Sequence, residues 1–189
     1  MQDHDAITLL RRGDLAGLDA LVRQYQYPAV RAATLIVRDR AAAEDIVQSA
    51  FLRIAGRIRQ FDQRRPFGPW FLRSVVNDAI KEAQRRERYE SLDQSGEAGS
   101  PAESLLAAAE GDPERMLEQG EIRQAVVGAL NRLTPLQRAA IVQRYYLGMN
   151  EAEMARASAT SAGAIKLRLF AARERLRTLL SSITSESIQ

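Results

Sequence analysis

Residues 134–180 decide the fold, and they read TPLQRAAIVQRYYLGMNEAEMARASATSAGAIKLRLFAARERLRTLL. Thr134 followed by Pro135 predicts a helix start, because Thr caps the free N–H groups of a first turn and Pro fits its first position. Asn150 and Glu153 predict a capping box that opens a second, short helix. A third helix follows, and together the three predict a helix-turn-helix.

The third helix has a buried stripe and a cationic face. Ser161 predicts its cap. The apolar residues that recur at helical spacing are Ile165, Leu169, Ala172 and Leu176. The residues that share a neighbouring face are Lys166, Phe170, Arg173 and Arg177. A helix that is buried on one side and cationic on another suits the DNA major groove. A solvated basic surface helix is the alternative.

Charge is arranged in three blocks along the 189 residues. Residues 1–89 hold 16 Lys and Arg against 11 acids, and residues 114–189 hold 11 against seven. Residues 90–113 hold six acids and no Lys or Arg. Basic blocks of this kind are expected of a protein that binds a polyanion. The Gly, Pro and Ser of the acidic block are typical of a linker.

Composition excludes several classes of function. The chain has no cysteine, and its one histidine is His4, so we expect no disulfide, metal site or cofactor. Neither a phosphate-binding Gly loop nor a nucleophile motif is present, so we expect no enzyme. The acidic N-terminus does not resemble a signal peptide, and no apolar run is long enough to span a membrane. We therefore expect a cytoplasmic protein.

Helical periodicity runs through the N-terminal block as well, so the predicted fold is all-α. Asp14 predicts the cap of a long helix that Pro28 must kink or break. Asp39 predicts the cap of the next helix, and Pro69 the start of the last one before the linker. We predict domains at 1–89 and 114–181, an acidic flexible linker at 90–113 and a tail at 182–189.

The predicted helix from Ala41 to Ile58 carries the pattern AEDIVQSAFL at residues 43–52. Glu44, Asp45 and Gln48 lie within one turn of each other and can face a partner. A solvated polar face is the alternative.

With this pattern, the chain resembles a group IV (extracytoplasmic-function) sigma factor of the bacterial sigma-70 family, over about residues 14–180. The N-terminal pieces of the resemblance are DLA at 14–16, LV at 21–22, YP at 27–28, the 43–52 pattern, FD at 61–62 and PFGPWFLRSVVN at 66–77. The C-terminal pieces are LTPLQR at 133–138, RYY at 144–146, AEMA at 152–155, GAIKLRL at 163–169 and ARERL at 172–176.

The resemblance implies two helical domains that bridge core RNA polymerase and promoter DNA, through the β′ clamp helices and the β flap. It implies a docking face for core polymerase at Glu44, Asp45 and Gln48. It implies minus-ten DNA residues, which hold phosphates, support unstacked bases or pair with a base edge: Arg64, Arg65, Phe67, Trp70, Arg73, Asn77 and Lys81. Arg85 and Arg86 can also hold phosphates, and Trp70 can instead be a core residue.

The resemblance also implies a recognition face for minus-thirty-five duplex DNA. Its residues are Ser161, Gly163, Lys166, Leu167, Arg168, Phe170 and Arg173. The family usually has Leu-Gly-Ile where Ser158-Ala159-Thr160 stand, so we expect a looser turn here. Leu167 and Ala171 also depart from the family pattern. An anti-sigma factor is a typical partner in the family, and the residues identify none.

Three functions are compatible with these observations. The first is an alternative sigma factor that directs promoter-specific initiation. The second is a two-domain helix-turn-helix regulator that binds duplex DNA without polymerase, which leaves the 43–52 pattern unexplained. The third is a sigma-like decoy for another regulator.

The resemblance implies that the acidic linker passes through the polymerase cleft. There it either takes the place of nucleic acid or serves as a spacer.

Overall fold

The computed structural model describes the backbone of residues 2–92 and 113–186, and the side chains of residues 2–89 and 120–181. In this part of the chain every regular element is helical. The helices are α1 (Asp3–Arg11), α2 (Ala16–Val37), α3 (Arg40–Arg57), α4 (Phe67–Leu92), α5 (Pro113–Asn131), α6 (Pro135–Ile141), α7 (Glu151–Ala157) and α8 (Ala162–Glu186). A 3₁₀ turn, Ile58–Gln60, follows α3, and a π-helical turn, Val142–Tyr146, follows α6. The all-α prediction is confirmed.

Four helix starts follow the predicted caps. Helix α2 does not, because Leu15 occupies its N-cap position and Asp14, one residue earlier, accepts a hydrogen bond from the N–H of Ala16 at 2.9 Å. Asp39 accepts a hydrogen bond from the N–H of Ala42 at 3.0 Å, and Ser161 accepts one from Ala164 at 3.1 Å. Thr134 and Asn150 each form the complete capping box. These caps accept hydrogen bonds from N–H groups that have no partner inside the helix, and they therefore determine where each helix begins.

Some helix boundaries differ from the sequence prediction. Helix α2 is not broken at Pro28 and continues to Val37, because the turns after the proline bury a run of small and branched residues against the core. Helix α4 begins at Phe67, two residues before Pro69. Helix α8 extends to Glu186 and so includes part of the predicted tail. The predicted acidic linker, apart from the ends of α4 and α5, lies outside the described residues.

The core of the N-terminal half (residues 2–92) is an aromatic cluster around the start of α4. The Phe67 and Phe71 rings stack with centroids 5.9 Å apart. Phe51 from α3 lies 4.3 Å from Phe71, and Tyr25 from α2 lies 5.4 Å from Phe67. Gly68 permits this packing, since a Cβ there would lie 2.8 Å from the Tyr25 ring. The cluster therefore fixes where α4 begins and which side of it faces outward.

The core of the C-terminal half (residues 113–186) uses the predicted stripe of α8. Ile165, Leu169 and Ala172 are buried, and Leu176 packs at its edge. The stripe packs against α6 and α7, and Met154 of α7 is fully buried beside it. The helix-turn-helix is thus held by one compact apolar cluster.

The turn between α7 and α8 is closed despite its unusual sequence. The N–H of Thr160 bonds the carbonyl of Ala155 at 3.0 Å, and Ala159 takes the left-handed conformation with φ 48°. This is the Schellman arrangement, in which glycine normally occupies the left-handed position. The turn is therefore formed and strained at Ala159.

Replacing Ala159 by Gly should stabilise the protein. A left-handed conformation costs a residue with a Cβ roughly 1–2 kcal/mol, and glycine avoids this cost. Glycine also loses more conformational entropy on folding than alanine does, so only part of the stabilisation remains. We expect a free energy of unfolding about 0.5–1 kcal/mol higher in urea titration. The matched control is Ala152→Gly on the exposed side of α7, which should lower it by about 1 kcal/mol. A lower free energy of unfolding in Ala159→Gly than in the parent would contradict strain at Ala159.

Candidate functional site

The predicted docking face lies on the outer side of α3. Glu44, Asp45 and Gln48 are exposed, while Val47 and Phe51 on the opposite side are in the core. Glu44 also accepts a hydrogen bond from Arg40 at 2.8 Å. The helix therefore presents these three polar groups without using them to hold the fold together.

Leu52 lies beside these polar groups on α3, and the sequence prediction did not include it. It is 64% exposed, which is unusual for a leucine in the middle of a helix. Its position, one turn beyond Gln48 and two beyond Asp45, was available in the sequence as helical spacing. An apolar centre beside polar groups is the usual composition of a protein-binding patch.

The minus-ten residues project from the start of α4 and the loop before it. Arg64, Arg65 and Arg73 are exposed, and the first two lie 3.8 Å from Asp62. Trp70 is partly buried, 4.6 Å from the Phe61 ring, so one edge packs and the rest lines the surface. The structure thus brings cations and an indole edge together at one end of the N-terminal half.

Phe67 is corrected by the structure. Its side chain is 1% exposed, inside the aromatic cluster, so it has no free ring face on which an unstacked base could lie. Trp70 lies one turn further along the same side of α4, with its ring centroid 5.8 Å from that of Phe67, but it is only partly buried. Phe67 is a core residue that positions Trp70.

Two arginines of α3 lie beside the predicted minus-ten residues, and the sequence prediction did not include them. Arg53 and Arg57 line a cavity of about 260 Å³ together with Trp70, Arg73 and Asn77. The sequence pattern assigns their helix, α3, to the predicted docking face, so it did not indicate a second role for these two residues. Their spacing of four residues places them on one side of α3, where it meets α4.

The cations further along α4 are engaged in ion pairs. Arg85 and Arg86 each donate to Glu82 at 2.8 Å, and Arg86 also donates to Asp39, the cap of α3, at 2.8 Å. Hydrogen bonds from the two guanidinium groups lower the pKa of Glu82 to about 2. Hydrogen bonding by Ala42 and Arg86 lowers the pKa of Asp39. Arg86 thus helps to hold α4 on α3, while the Arg85 pair lies within α4. Lys81 is exposed, 3.9 Å from Asp78.

Asn77 lies at the far edge of the minus-ten surface and has a long-range partner. Its Nδ2 donates a hydrogen bond to the carbonyl of Ala157, at the end of α7, over 2.9 Å. The predicted contact of Asn77 with a base remains a prediction. In this structure its amide holds the C-terminal half.

The recognition face is presented by the first turns of α8. Lys166, Leu167 and Phe170 are exposed, the last two by 72% and 65%. Ser161 and Gly163 are exposed at the helix start, and Arg168 is half-buried. The face is therefore both cationic and apolar.

Tyr145 lies beside this face and was not among the residues predicted for it. Its hydroxyl accepts a hydrogen bond from Arg173 Nε at 2.9 Å, and the guanidinium lies 5.8 Å from the ring centroid. Lys166 Nζ lies 3.7 Å from Glu151. These contacts set the positions of two cations of the recognition face, and Lys166 must leave its carboxylate to hold a phosphate.

No described helix is long and apolar enough to cross a membrane.

Comparison with known proteins accounts for both halves. Residues 21–89 match the Sigma-70 region 2 family and residues 123–176 match the Sigma-70 region 4 family, together more than half of the chain. The RNA polymerase sigma-E factor of Streptomyces avermitilis is 30% identical over 173 residues, which are 92% of this chain and 90% of that one. The ECF RNA polymerase sigma factor SigE of Mycolicibacterium smegmatis is 27% identical over 180 residues, 94% of this chain and 68% of that one.

The chain belongs to the extracytoplasmic-function sigma factors of the sigma-70 family. The resemblance noted in the sequence and its functional consequence, an alternative RNA polymerase sigma factor, are confirmed. A duplex-binding regulator that acts without polymerase leaves the region 2 match unexplained. Among solved structures, CnrH in complex with the cytosolic domain of CnrY is 20% identical, with a TM-score of 0.64 over 95% of this chain and 97% of that one, and it supports the fold.

The Glu82 network makes the stability of this sigma factor depend on pH. The folded pKa of Glu82 lies below its ordinary value of 4.5, so its contribution is present above that value and is lost as the pH falls towards 2. We expect Glu82→Gln to lower the free energy of unfolding at neutral pH by about 1 kcal/mol, since solvent screens the pair. The difference from the parent should vanish between about pH 5 and pH 2.

Denaturant titrations at several pH values measure this effect. Glu44→Gln is the control, because its exposed pair with Arg40 on α3 contributes little. A pH-independent effect of Glu82→Gln would contradict the electrostatic role of the network.

Proposed function

We propose that this sigma factor docks on core RNA polymerase through α3 and reads promoter DNA with α4 and α8. The observation that carries the proposal is the exposure of Asp45, Gln48 and Leu52 on one face of a helix whose other face is buried. The expected partner surface is the β′ clamp helices, with the β flap as the expected contact of the C-terminal half.

The minus-ten role rests on Arg64, Arg65, Trp70, Arg73 and Lys81. The arginines and the lysine are exposed cations that can hold phosphates, and the exposed part of Trp70 can stack with an unpaired base. Arg57 lines the same region and adds charge to it, while Arg53 beside it is paired with Asp78 at 2.5 Å. An arrangement of cations beside an aromatic ring suits a single strand better than a duplex.

The minus-thirty-five role rests on α8. Lys166 and Arg173 can hold phosphates, and Leu167 and Phe170 can contact thymine methyl groups in the major groove. Leu167 departs from the family pattern noted above, so we expect apolar rather than polar readout at this position. The cytoplasm is the proposed compartment, since core polymerase acts there.

Changing the docking face should weaken binding to core polymerase. We expect Asp45→Arg combined with Gln48→Ala to lower the affinity for purified core polymerase by about tenfold or more, as truncation of central interface residues commonly does. Fluorescence anisotropy of the labelled sigma factor measures this. The helical content should stay unchanged, because neither side chain packs in the core.

The matched control applies the same two substitutions to exposed residues of α2, Asp19→Arg with Gln26→Ala. It should leave the affinity for core polymerase unchanged. Equal affinities of the parent, the docking variant and the control would remove α3 as the docking helix.

Lys166 provides a test of the recognition face. If Lys166 holds a phosphate, Lys166→Ala should lower the slope of log affinity against log salt by about one unit on duplex DNA with a minus-thirty-five element. Arg23→Ala, an exposed cation on α2, is the control and should leave the slope unchanged. An unchanged slope together with unchanged base preference in Lys166→Ala would show that this part of α8 faces a partner other than DNA.

A further inference from the structure

Helix α1 is packed into the N-terminal core, although the Sigma-70 region 2 match begins only at residue 21. Its apolar residues Ala6, Ile7 and Leu10 are buried. It crosses α2 closely at Gly17, where a Cβ would lie 2.2 Å from the carbonyl oxygen of Ala6. Only glycine permits such a close approach of two backbones. The start of α2 is therefore shaped to receive α1 in one position.

The first end of α1 is attached to the aromatic cluster. The Tyr25 hydroxyl donates a hydrogen bond to Asp3 Oδ2 at 2.5 Å. The ring of the same tyrosine lies 5.4 Å from the Phe67 ring, at the first turn of α4. The position of α1 is thus set by the same rings that set the start of α4.

The last residue of α1, Arg11, is attached to the chain that follows α3. Its Nε donates to the carbonyl of Ile58 at 3.3 Å. Its Nη2 donates to the carbonyls of Arg59 and Phe61 at 3.0 and 2.8 Å. Carbonyls at the end of a helix lack partners within it, and a cation is favourable there. One planar guanidinium thus holds three successive points of the backbone, which suits its fixed fork of donors.

Phe61 begins the segment that we call the minus-ten loop (residues 61–66). Its ring is buried, with centroids 5.7 Å from Phe67 and 4.6 Å from Trp70. Its carbonyl, which points away from the ring, is the one that Arg11 holds most closely. The first residue of the loop is therefore fixed by its side chain from one direction and by its backbone from another.

The rest of the loop is a tight turn that carries two exposed cations. The Asp62 side chain accepts a hydrogen bond from the N–H of Arg64 at 3.1 Å, and its carbonyl accepts one from the N–H of Arg65 at 3.0 Å. The Arg64 and Arg65 side chains are 94% and 76% exposed, so they have little packing of their own. Their location depends on where the turn begins.

We propose that Arg11 is a positioning residue for promoter opening, which fixes the minus-ten loop so that Arg64 and Arg65 meet the opened DNA strand. The proposal rests on the proposed function, which assigns these two arginines to minus-ten DNA. A loop that is already ordered loses less conformational freedom when it binds, so more of the contact energy remains for holding the strand. Helix α1 is then part of the promoter-opening machinery.

Three variants separate positioning from charge. Arg11→Met keeps an unbranched side chain and removes all the donors. Arg11→Lys keeps the charge, but an ammonium group lacks the fork that spans three carbonyls. Arg12→Met is the matched control, because Arg12 is the next residue and is exposed. Circular dichroism and thermal melting check that each variant is folded, and Arg11→Lys decides alone if Arg11→Met is not.

The first measurement is the mobility of the loop. The chain has no cysteine, so Gln63→Cys allows one spin label to be placed in the loop of the full-length protein. We expect an electron paramagnetic resonance spectrum of restricted motion in the parent and in Arg12→Met, and of faster motion in both Arg11 variants. Equal mobility in all four proteins would overturn the proposal.

The second measurement is the initial rate of run-off transcription by core polymerase saturated with each variant. The template is the duplex promoter from which the parent makes most transcript in a library of randomised promoters. We expect Arg11→Met to lower the rate by about fivefold, within the range of effects between coupled residues. Arg11→Lys should lower it less, and Arg12→Met should not change it.

A double-mutant cycle shows whether Arg11 acts through the loop cations. Arg64→Ala combined with Arg65→Ala should itself lower the rate. If Arg11 acts by positioning these residues, adding Arg11→Met to this variant should lower the rate by less than about twofold further. The same fivefold loss in both backgrounds would mean a general structural role and would overturn the proposal.

Failure of this proposal can be told apart from failure of the proposed function. A parent that directs no transcription above that of core polymerase alone contradicts the proposed function, and this proposal with it. A parent that transcribes, with an unchanged rate in Arg11→Met, contradicts only the role of Arg11.

Discussion

The packing of Phe67 and Phe71 against rings from α2 and α3 is the constraint on which the rest of the N-terminal half depends. It sets the first turn of α4 and therefore its rotation. With Phe67 turned inward, Trp70 lies at the edge of the cluster, and Arg73 and Asn77 follow at helical spacing on the outer side. The same cluster holds Phe51 inward, so Asp45, Gln48 and Leu52 of α3 face outward. One core thus separates the proposed docking face from a cationic, aromatic surface.

The second constraint is that this core continues into the C-terminal half. Ala139 and Val142 complete it, and α7 then lies over the start of α4. The interface is made of small apolar residues with a few polar contacts, of which Asn77 with Ala157 is the most direct. Such an interface can separate when a larger partner surface replaces it, since interfaces between domains of one chain resemble transient protein contacts.

Local features were predictable from the sequence, and long-range ones were not. The caps Asp39, Thr134, Asn150 and Ser161 and the buried stripe of α8 follow from rules that act within one or two helical turns. Helix α2 passing through Pro28 depends on burial of the residues after it, which overrides the local preference. Phe67 inside the core and the pairing of Arg86 with Asp39 depend on how α4 lies against α3. The hydrogen bond of Asn77 joins residues 80 positions apart, so no local pattern could indicate it.

The most direct test of this account is run-off transcription with purified core polymerase on a library of randomised promoter sequences. The account predicts transcripts above those of core polymerase alone, from templates that share two elements at a constant spacing. One element should be read as duplex DNA by α8. The other should be opened to single strands and read by α4 in the same complex. Transcription that stays at the level of core polymerase alone, with the sigma factor folded and in excess, would contradict it.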